Sequence, residues 1–369
     1  MKILITTEQY YPMLSGVSSV VTAIAEELAH LGHDVSVATG DLQRESSIHN
    51  GVKIFEFKVQ GGFGNYYQGE IQKYRDFILE QNYDVLINEC VQTWSTDLIL
   101  PYLAQIKAKK ILHSHGFSLL SYKTKNPWAY VKAKYYYSVL PKYLKEYDHL
   151  FFLHDQTIET AYCKKHKLNR FSYLPNGVDE SFIANKKIHQ KDELYILNIS
   201  NYFPMKNQEF LLEAYYKAST KVKLILIGTA VLHNYLEYLK KQKEKFDYIY
   251  GYKEVIFLSG LSRAETLTYL ENATIFLHSS KLEVFPMVIL EAMAKEIPFI
   301  STDVGNVKEL QGGVVVQTQE AMAKQIDHLL KDVSLYEKFT QEGVGMIRSS
   351  YNWQMIVQRL LNVLEASHG

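Results

Sequence analysis

The chain has 369 residues, 47% of them apolar, so it can bury more than one hydrophobic core, and two domains are expected. Its 40 basic residues balance its 40 acidic ones and the isoelectric point is near 7.2, which argues against a nucleic-acid binder that relies on overall charge. The two cysteines, Cys90 and Cys163, show neither a metal-ligand spacing nor a disulfide framework, which favours a reducing, cytoplasmic compartment. The start MKILITTEQYYP is too short an apolar stretch for a signal peptide, and no run approaches the ~18 apolar residues of a membrane span.

Short apolar strands alternate with helical stretches in the first part of the chain. Residues 2–6 predict a buried parallel strand, followed by a loop that contains Gly16 and a helix from about Ser18 to Leu31. Further strands are predicted at residues 35–38, 53–57, 85–88, 110–113 and 150–153. This alternation indicates a parallel sheet covered by helices on both faces.

The same alternation restarts after a polar stretch at residues 186–193 (KKIHQKDE), which is the best linker candidate. Strands are predicted at residues 195–200, 223–227, 255–258 and 275–278, and an amphipathic helix at 352–367. The predicted organisation is an N-terminal domain at 1–185, a second domain at 186–350 and a C-terminal helix at 351–369. Ligands of open α/β sheets bind beyond the carboxyl ends of the strands.

Two glutamates eight positions apart, Glu283 and Glu291, lie in the run KLEVFPMVILEAMAKEIPFIS. Pro286 fits the first turn of a helix, which Pro298 would end before a strand. A helix N-terminus can hold a phosphate, with Glu283 just before it and Glu291 further along. Such an arrangement suits a ligand with hydroxyls on both sides of a diphosphate, such as a nucleotide sugar.

The pattern Glu-x-Phe-Pro-x-Val-x-x-Glu-Ala-Met-Ala, ahead of a strand that ends at Asp303-Val304-Gly305, resembles the C-terminal signature of family 4 retaining glycosyltransferases. The resemblance implies an α/β protein of the GT-B fold, with two Rossmann-like doubly wound domains facing across a cleft and a C-terminal helix crossing back to the N-terminal domain. It further implies transfer of a hexose-type sugar, with retention of configuration, from a nucleotide diphosphate sugar. A UDP-sugar is favoured as the donor, and a glycan or a lipid-linked saccharide as the acceptor.

The resemblance also assigns roles within this run and near the N-terminus. Glu283 would approach hydroxyls of the transferred sugar, and Glu291 would accept hydrogen bonds from the ribose. Phe285, Met287 and Val288 would lie along the phosphates. Gly16 carries over from a family loop that usually has two glycines, the first of which is replaced here by Ser15.

His115 follows a predicted strand and precedes Gly116, and a histidine at this point of the family contacts the donor sugar or the acceptor side. It is preferred over His113 because the glycine follows it. A lone histidine is usually structural, but a neutral imidazole at a strand end can donate a hydrogen bond to a sugar hydroxyl or a developing charge.

Lys206 stands beside a predicted helix start, a suitable place to meet a diphosphate. The family commonly has an arginine five residues earlier, where this chain has Asn201, which carries no charge. Lys206 and the backbone of Met287 and Val288 would then bind the diphosphate, unless another basic residue such as Arg263 compensates or the donor affinity is low. No Asp-x-Asp motif for a nucleotide-bound metal is present, so no metal and no cofactor beyond the nucleotide sugar is expected.

The segment from Tyr122 to Tyr147 has six lysines, seven tyrosines and Trp128, but one glutamate. Such a stretch can lie on an anionic membrane at the inner face of the cell. A solvated helix with a tyrosine-rich core face fits the composition equally well.

Three other functions are weighed against the transferase. A sugar-nucleotide epimerase of the same fold fits the glutamate run and the Lys206 loop less well. A catalytically silent nucleotide-sugar-binding protein remains open because of Asn201 and Ser15. A glycosidase is disfavoured, since two carboxylates straddling a helix start do not face each other across a bound glycoside.

Overall fold

The computed structural model describes residues 1–13, 15–62, 66–117, 127–183 and 194–366. The chain forms two compact units, one made of Met1–Asn176 with Trp353–Gly369 and the other of Gly177–Asn352. The division falls after Asn176, earlier in the chain than the predicted boundary at residue 185, while the predicted linker 186–193 lies outside the described residues. The C-terminal segment returns to the first unit from Trp353 onward.

The first unit is built on an eight-stranded sheet in the order β10-β9-β8-β7-β1-β2-β4-β3, parallel except for the β3–β4 pair. Its strands, together with the separate β5–β6 hairpin, are β1 Lys2–Thr6, β2 Asp34–Gly40, β3 Ile48–His49, β4 Val52–Phe57, β5 Val59–Gln60, β6 Gln68–Gly69, β7 Val85–Glu89, β8 Lys109–His113, β9 His149–Phe152 and β10 Phe171–Tyr173. The order reverses direction between β1 and β7, which pair directly. The loops after these two strands therefore flank the point at which such sheets bind ligands.

Helices cover the first sheet. They are α1 Gly16–His30, α2 Ile71–Glu80, α3 Trp94–Asp97, α4 Pro127–Leu144, α5 Ile158–Lys165 and, from the chain end, α12 Trp353–Glu365. The apolar face of α12 shares one buried core with α1 and the central strands. Lys109 Nζ donates to the carbonyls of Val363 (2.7 Å) and Leu364 (3.0 Å), which satisfies the orphan acceptors at the end of α12. The expected return of the C-terminal helix to the N-terminal unit is confirmed.

The second unit has a six-stranded, fully parallel sheet in the order β13-β12-β11-β14-β15-β16. Its strands are β11 Tyr195–Ile199, β12 Lys223–Ile227, β13 Val255–Leu258, β14 Ile275–His278, β15 Phe299–Thr302 and β16 Gly313–Val316. Its helices are α6 Gln208–Lys217, α7 His233–Tyr250, α8 Arg263–Asn272, α9 Met287–Ala294, α10 Gln319–Lys331 and α11 Val333–Ser350. Numbered from its own first strand, this is the 3-2-1-4-5-6 order of dinucleotide-binding sheets, with its switch point between β11 and β14.

The predicted doubly wound α/β architecture is therefore confirmed in each unit. Strands β1, β12, β13 and β14 have the predicted bounds, because each is an apolar run bounded by polar or turn residues. Other predicted strand and helix bounds differ from the observed ones by one or two residues, and two of the differences lie at helix starts near predicted site residues. Gly16 is the first residue of α1 rather than part of the preceding loop, and Pro286 is the N-cap of α9 rather than a residue of its first turn.

Candidate functional site

The switch point of the second sheet brings together two loops that are far apart in the sequence. Lys206 ends a short 3-10 turn (Pro204–Lys206) after β11, and Glu283 follows β14, the neighbouring strand. The loops are joined by the backbone bond from Lys281 N to Met205 O (2.8 Å) and by Ser279 Oγ, which donates to Lys206 O (2.8 Å). Sheet topology thus places two predicted site residues side by side.

Lys206 and Glu283 form the centre of a polar network. Lys206 Nζ donates to Glu283 Oε1 (2.5 Å), and Ser280 Oγ donates to the same oxygen (2.7 Å). His278 Nε2 lies 3.2 Å from Ser280 Oγ and 3.6 Å from Glu283 Oε1, while its Nδ1 contacts Ser301 Oγ at 3.0 Å. Among the described residues Glu283 Oε2 has no hydrogen-bond partner, so one carboxylate oxygen is held and the other can accept a hydroxyl.

The charge of Glu283 is set by opposing effects. Burial raises the pKa of its carboxyl group, but the contact with His278 and the charge of Lys206 outweigh burial and lower the pKa to about 2. Glu283 is therefore an ionised hydrogen-bond acceptor at neutral pH.

Helix α9 starts directly beyond this network. Met287 and Val288 occupy its first two positions and are half-buried, so their backbone N–H groups belong to the positive end of the helix. Phe285 is buried, with its ring centroid 6.1 Å from that of Tyr351. The Phe285 side chain thus packs in the core, which leaves its backbone for a ligand.

Glu291 is paired with Arg263, the first residue of α8. The two guanidinium nitrogens of Arg263 donate to the two carboxylate oxygens of Glu291, at 2.5 and 3.2 Å. The Arg263 guanidinium also lies 5.6 Å from the centre of the Phe182 ring. The sequence offers Arg263 as a replacement for the missing arginine at Asn201, whereas in the structure Arg263 pairs with the carboxylate predicted to bind ribose.

Asn201 is exposed at the end of β11 and takes part in the site through its backbone. Its carbonyl accepts a hydrogen bond from Gln208 Nε2 (2.8 Å), the first residue of α6. A side chain at Gly228 would meet Ser200 O at 2.1 Å, so the end of β12 packs tightly on this loop. The loop backbone is fixed by these contacts rather than by a charged side chain at position 201.

In the first unit, Ser15 and Gly16 start α1. Ser15 Oγ accepts a hydrogen bond from Ser18 N (3.2 Å), the usual bond of a helix N-cap. Ser15, which replaces the first glycine of the family loop, therefore has a structural role. A Cβ added to Gly16 would meet no described atom within 4 Å. Gly16 therefore leaves open space at the N-terminus of α1, where a ligand can approach the backbone.

His115 lies just beyond β8 and contacts a carboxylate that the sequence analysis did not select. Its Nε2 is 2.7 Å from Oε2 of Glu89, the last residue of β7, and His113 Nδ1 is 3.0 Å from the same oxygen. Glu89 is completely buried and its other oxygen, Oε1, has no partner among the described residues.

Three residues of these two clusters are not among the predicted site residues: Glu89, Ser280 and His278. One signal was available, since all three are polar residues at or next to the carboxyl end of a predicted strand. Which of these strand ends are neighbours depends on strand order.

Comparison with known proteins identifies the family. Residues 14–182 match the family described as Glycosyltransferase Family 4, and residues 179–346 match Glycosyl transferases group 1. The chain belongs to the family 4 glycosyltransferases. An uncharacterized glycosyltransferase of Methanocaldococcus jannaschii is 24% identical over 394 residues, covering 98% of this chain and 97% of that protein.

Two solved structures share the fold of this glycosyltransferase. Sucrose-phosphate synthase of Thermosynechococcus elongatus superposes with a TM-score of 0.78 at 16% identity, covering 98% of each chain. HepE of Anabaena in complex with UDP-glucose superposes with a TM-score of 0.72 at 17% identity, covering 99% of each chain. Together with the two parallel sheets, these similarities establish the GT-B fold.

Helix α4 of this glycosyltransferase carries most of the described part of the basic, aromatic segment; residues 122–126 lie outside the described residues. One face is buried through Tyr137 and Leu140. The opposite face exposes Trp128, Val131 and Tyr135, at helical spacing, with Lys132, Lys134 and Lys142 also exposed. The buried face fits the alternative of a helix that packs a tyrosine-containing face on the core, while contact of the segment with an anionic membrane stays a prediction. None of the helices within the described ranges is long and apolar enough to span a membrane.

Proposed function

We propose that the protein transfers a hexose from a UDP-sugar, with retention of configuration, to a glycan or a lipid-linked saccharide. The observation that carries the donor site is the Lys206–Glu283 pair at the switch point of the second sheet, next to the start of α9. Lys206 and the first N–H groups of α9 supply positive charge for a leaving nucleoside diphosphate. The free oxygen of Glu283 suits a sugar hydroxyl.

Two further observations support the choice of donor and mechanism. HepE, a protein of the same fold, was crystallised with UDP-glucose. Retention is inferred from the family pattern around Glu283 and Glu291. Metal-independent transfer is proposed because Lys206 and the helix start offer the cationic charge that a divalent ion would otherwise supply to the diphosphate.

The testing experiment is slow donor hydrolysis by the purified protein, in EDTA, across UDP-, GDP- and ADP-sugars. We expect nucleoside diphosphate release from a UDP-hexose, and NMR of the released or transferred sugar should show the anomeric configuration of the donor. Release that requires added metal would remove the metal-independent mechanism. Thermal stabilisation by UDP without turnover of any sugar would favour the catalytically silent binding protein instead.

The ribose role of Glu291 leads to a separate prediction. Glu291→Ala should weaken UDP binding by ~1–3 kcal/mol, since hydrogen bonds to a charged acceptor are lost. Arg263→Ala should cause a smaller loss, because Arg263 holds the carboxylate without replacing it. Isothermal titration with UDP measures both.

Glu271→Ala is the matched control, because Lys295 Nζ lies 2.5 Å from Glu271 in a second ion pair that joins the same helix α8 to the end of α9. Its UDP affinity should equal that of the wild type. If all three variants bind UDP as tightly as the wild type does, the Arg263–Glu291 pair is only a surface salt bridge, worth about 0–1 kcal/mol.

We also propose that the exposed face of α4, defined by Trp128, Val131 and Tyr135, docks on anionic lipid. Exposed lysines flank these apolar and aromatic side chains, which matches a negatively charged interface. Binding to phosphatidylglycerol vesicles should decrease with salt, since the Debye length is about 10 Å at 0.1 M.

Vesicle pelleting tests this surface. Trp128→Ala and Tyr135→Ala should weaken binding to anionic vesicles, and the wild type should not bind neutral ones. Tyr248→Ala, which removes a 92% exposed tyrosine from the second unit, serves as the control. Pelleting that is equal for all four proteins would eliminate α4 as the lipid-binding face.

A further inference from the structure

A buried carboxylate and two imidazoles meet at the switch point of the first sheet, and the proposed function leaves the carboxylate unused. Glu89 is the last residue of β7 and stands opposite His113, the last residue of β8, in the parallel register. His115 follows two residues later, with 8% of its side chain exposed. The cluster therefore lies at the edge of the sheet where ligands bind.

The distances show a hydrogen bond between Glu89 and His115, and a zinc ion would need these ligand atoms further apart. Tetrahedral zinc with bonds of about 2.0–2.2 Å keeps its ligand atoms about 3.3–3.6 Å apart. His115 Nε2 and His113 Nδ1 lie closer than this to Glu89 Oε2, at 2.7 and 3.0 Å. The His115 contact has hydrogen-bond geometry, whereas that of His113 has only the distance.

The direction of this hydrogen bond follows from charge. Burial raises the pKa of Glu89, but His113 and His115 outweigh it and lower the pKa to about 2. An ionised carboxylate can only accept, so His115 Nε2 carries the hydrogen. Burial and the nearby His113 lower the pKa of His115, which keeps the ring neutral at physiological pH and leaves Nδ1 without a proton.

Two features indicate that Glu89 is kept for function rather than for stability. A buried carboxylate normally satisfies both oxygens, yet Oε1 has no partner in the described part of the chain. The residues that follow it are strained, because Cys90 and Gln92 adopt left-handed backbone conformations (φ 64° and 66°) without being glycine.

We propose that Glu89 is a positioning residue that holds His115 as the Nε2–H tautomer, so that Nδ1 accepts a hydrogen bond from a hydroxyl of the transferred sugar. This inference rests on the proposed function, because it takes the sugar as the ligand of His115. It reverses the donor role that the sequence suggested for this imidazole. A buried aspartate fixes the tautomer of the catalytic histidine in serine proteases in the same way. With Nδ1 as a fixed acceptor, the protein selects a hexose that has a hydroxyl at the contacted carbon over the corresponding deoxy sugar.

The tautomer can be measured without any turnover. Full-length protein labelled with 15N-histidine is studied by long-range nitrogen–proton correlation NMR at neutral pH, and His115→Asn assigns the signal. We expect a protonated Nε2 and a bare Nδ1. A ring protonated at Nδ1, or a zinc titration that displaces the Nε2 proton, overturns the proposal even if the transferase activity is confirmed.

Selectivity is the second readout. Glu89→Gln should lower kcat/KM for the UDP-hexose about tenfold, through loss of one well-oriented hydrogen bond, and should shrink its preference over the singly deoxygenated analogue. UDP affinity should not change, because UDP lacks the sugar. Equal losses for the hexose and all its deoxy analogues would overturn the positioning role.

Asp148→Asn is the control variant. Asp148 Oδ2 accepts from Lys110 N (2.7 Å) near the amino end of the same strand β8. This change likewise replaces a carboxylate by its amide, but away from His115. It should leave kcat/KM and the sugar preference at their wild-type values, and a matching loss in this variant would overturn the assignment to Glu89.

Discussion

Lys206→Met should lower the rate of sugar transfer by about 10²–10³, because it removes a preorganised cation from the leaving diphosphate. It should also weaken UDP binding while leaving the much weaker binding of uridine unchanged, since uridine has no phosphate. Methionine keeps the length and packing of the lysine stem. Steady-state kinetics and titration with UDP and uridine measure these effects.

Lys217→Met controls for the loss of a paired lysine in the same unit. Lys217 lies 2.7 Å from Glu213 and 2.5 Å from Glu320, and 24% of its side chain is exposed, against 29% for Lys206. It should retain wild-type kinetics. If Lys206→Met loses UDP and uridine affinity equally, Lys206 does not contact the phosphates.

Glu283→Gln should reduce transfer by about 10²-fold, because a neutral amide stabilises a positively charged sugar transition state less than a carboxylate does. UDP affinity should stay close to the wild-type value, since the proposed contact of Glu283 is with the sugar. The double variant Lys206→Met with Glu283→Gln separates two effects. It should recover stability, because no charge is left unpaired, but not activity.

The single variant Glu283→Gln also tests the charge state of Glu283. Its folded-state pKa of about 2 lies below the ordinary value of 4.5, so the ionised carboxylate stabilises the fold above about pH 4.5 and this contribution is lost as the pH falls toward 2. The contribution of the ionised Glu283 carboxylate to the free energy of unfolding is about 3 kcal/mol at most. Urea unfolding should therefore show a steeper loss of stability for the wild type than for Glu283→Gln between about pH 5 and pH 2. Parallel curves of unfolding free energy against pH for the two proteins would show that Glu283 has an ordinary pKa. Glu89 titrates in both proteins, so its contribution cancels in the comparison.

Local signals explain which elements could be predicted. Strand β14 begins with three apolar residues, Ile275 to Leu277, and α9 lies between Pro286 and Pro298, so neighbouring residues alone define both elements. The boundary between the units was less predictable. The first sheet ends with β10, a three-residue strand with no buried side chain, and such a short strand has no clear periodicity.

The sequence allowed individual site residues to be predicted, but not which residues they contact. The resemblance to the family indicated Glu283, Glu291 and Lys206 one at a time, because each lies next to a predicted helix start or within the run that resembles the family signature. Their pairing required knowledge of which strand ends are adjacent. Lys206 and Glu283 are 77 positions apart, and Arg263 and Glu291 are 28 apart.

By itself the sequence determined the two doubly wound units and the order of their elements, since hydrophobic period, proline and glycine act locally. Its resemblance to the family pattern predicted the loops that are proposed to hold a nucleotide sugar. The tertiary structure decided that Lys206 meets Glu283, that Arg263 holds Glu291 and that Glu89 holds His115. The physical reason is strand order. Crossover connections place β11 beside β14 and β7 beside β8, and this arrangement brings Lys206 to Glu283 and His115 to Glu89 within hydrogen-bond distance.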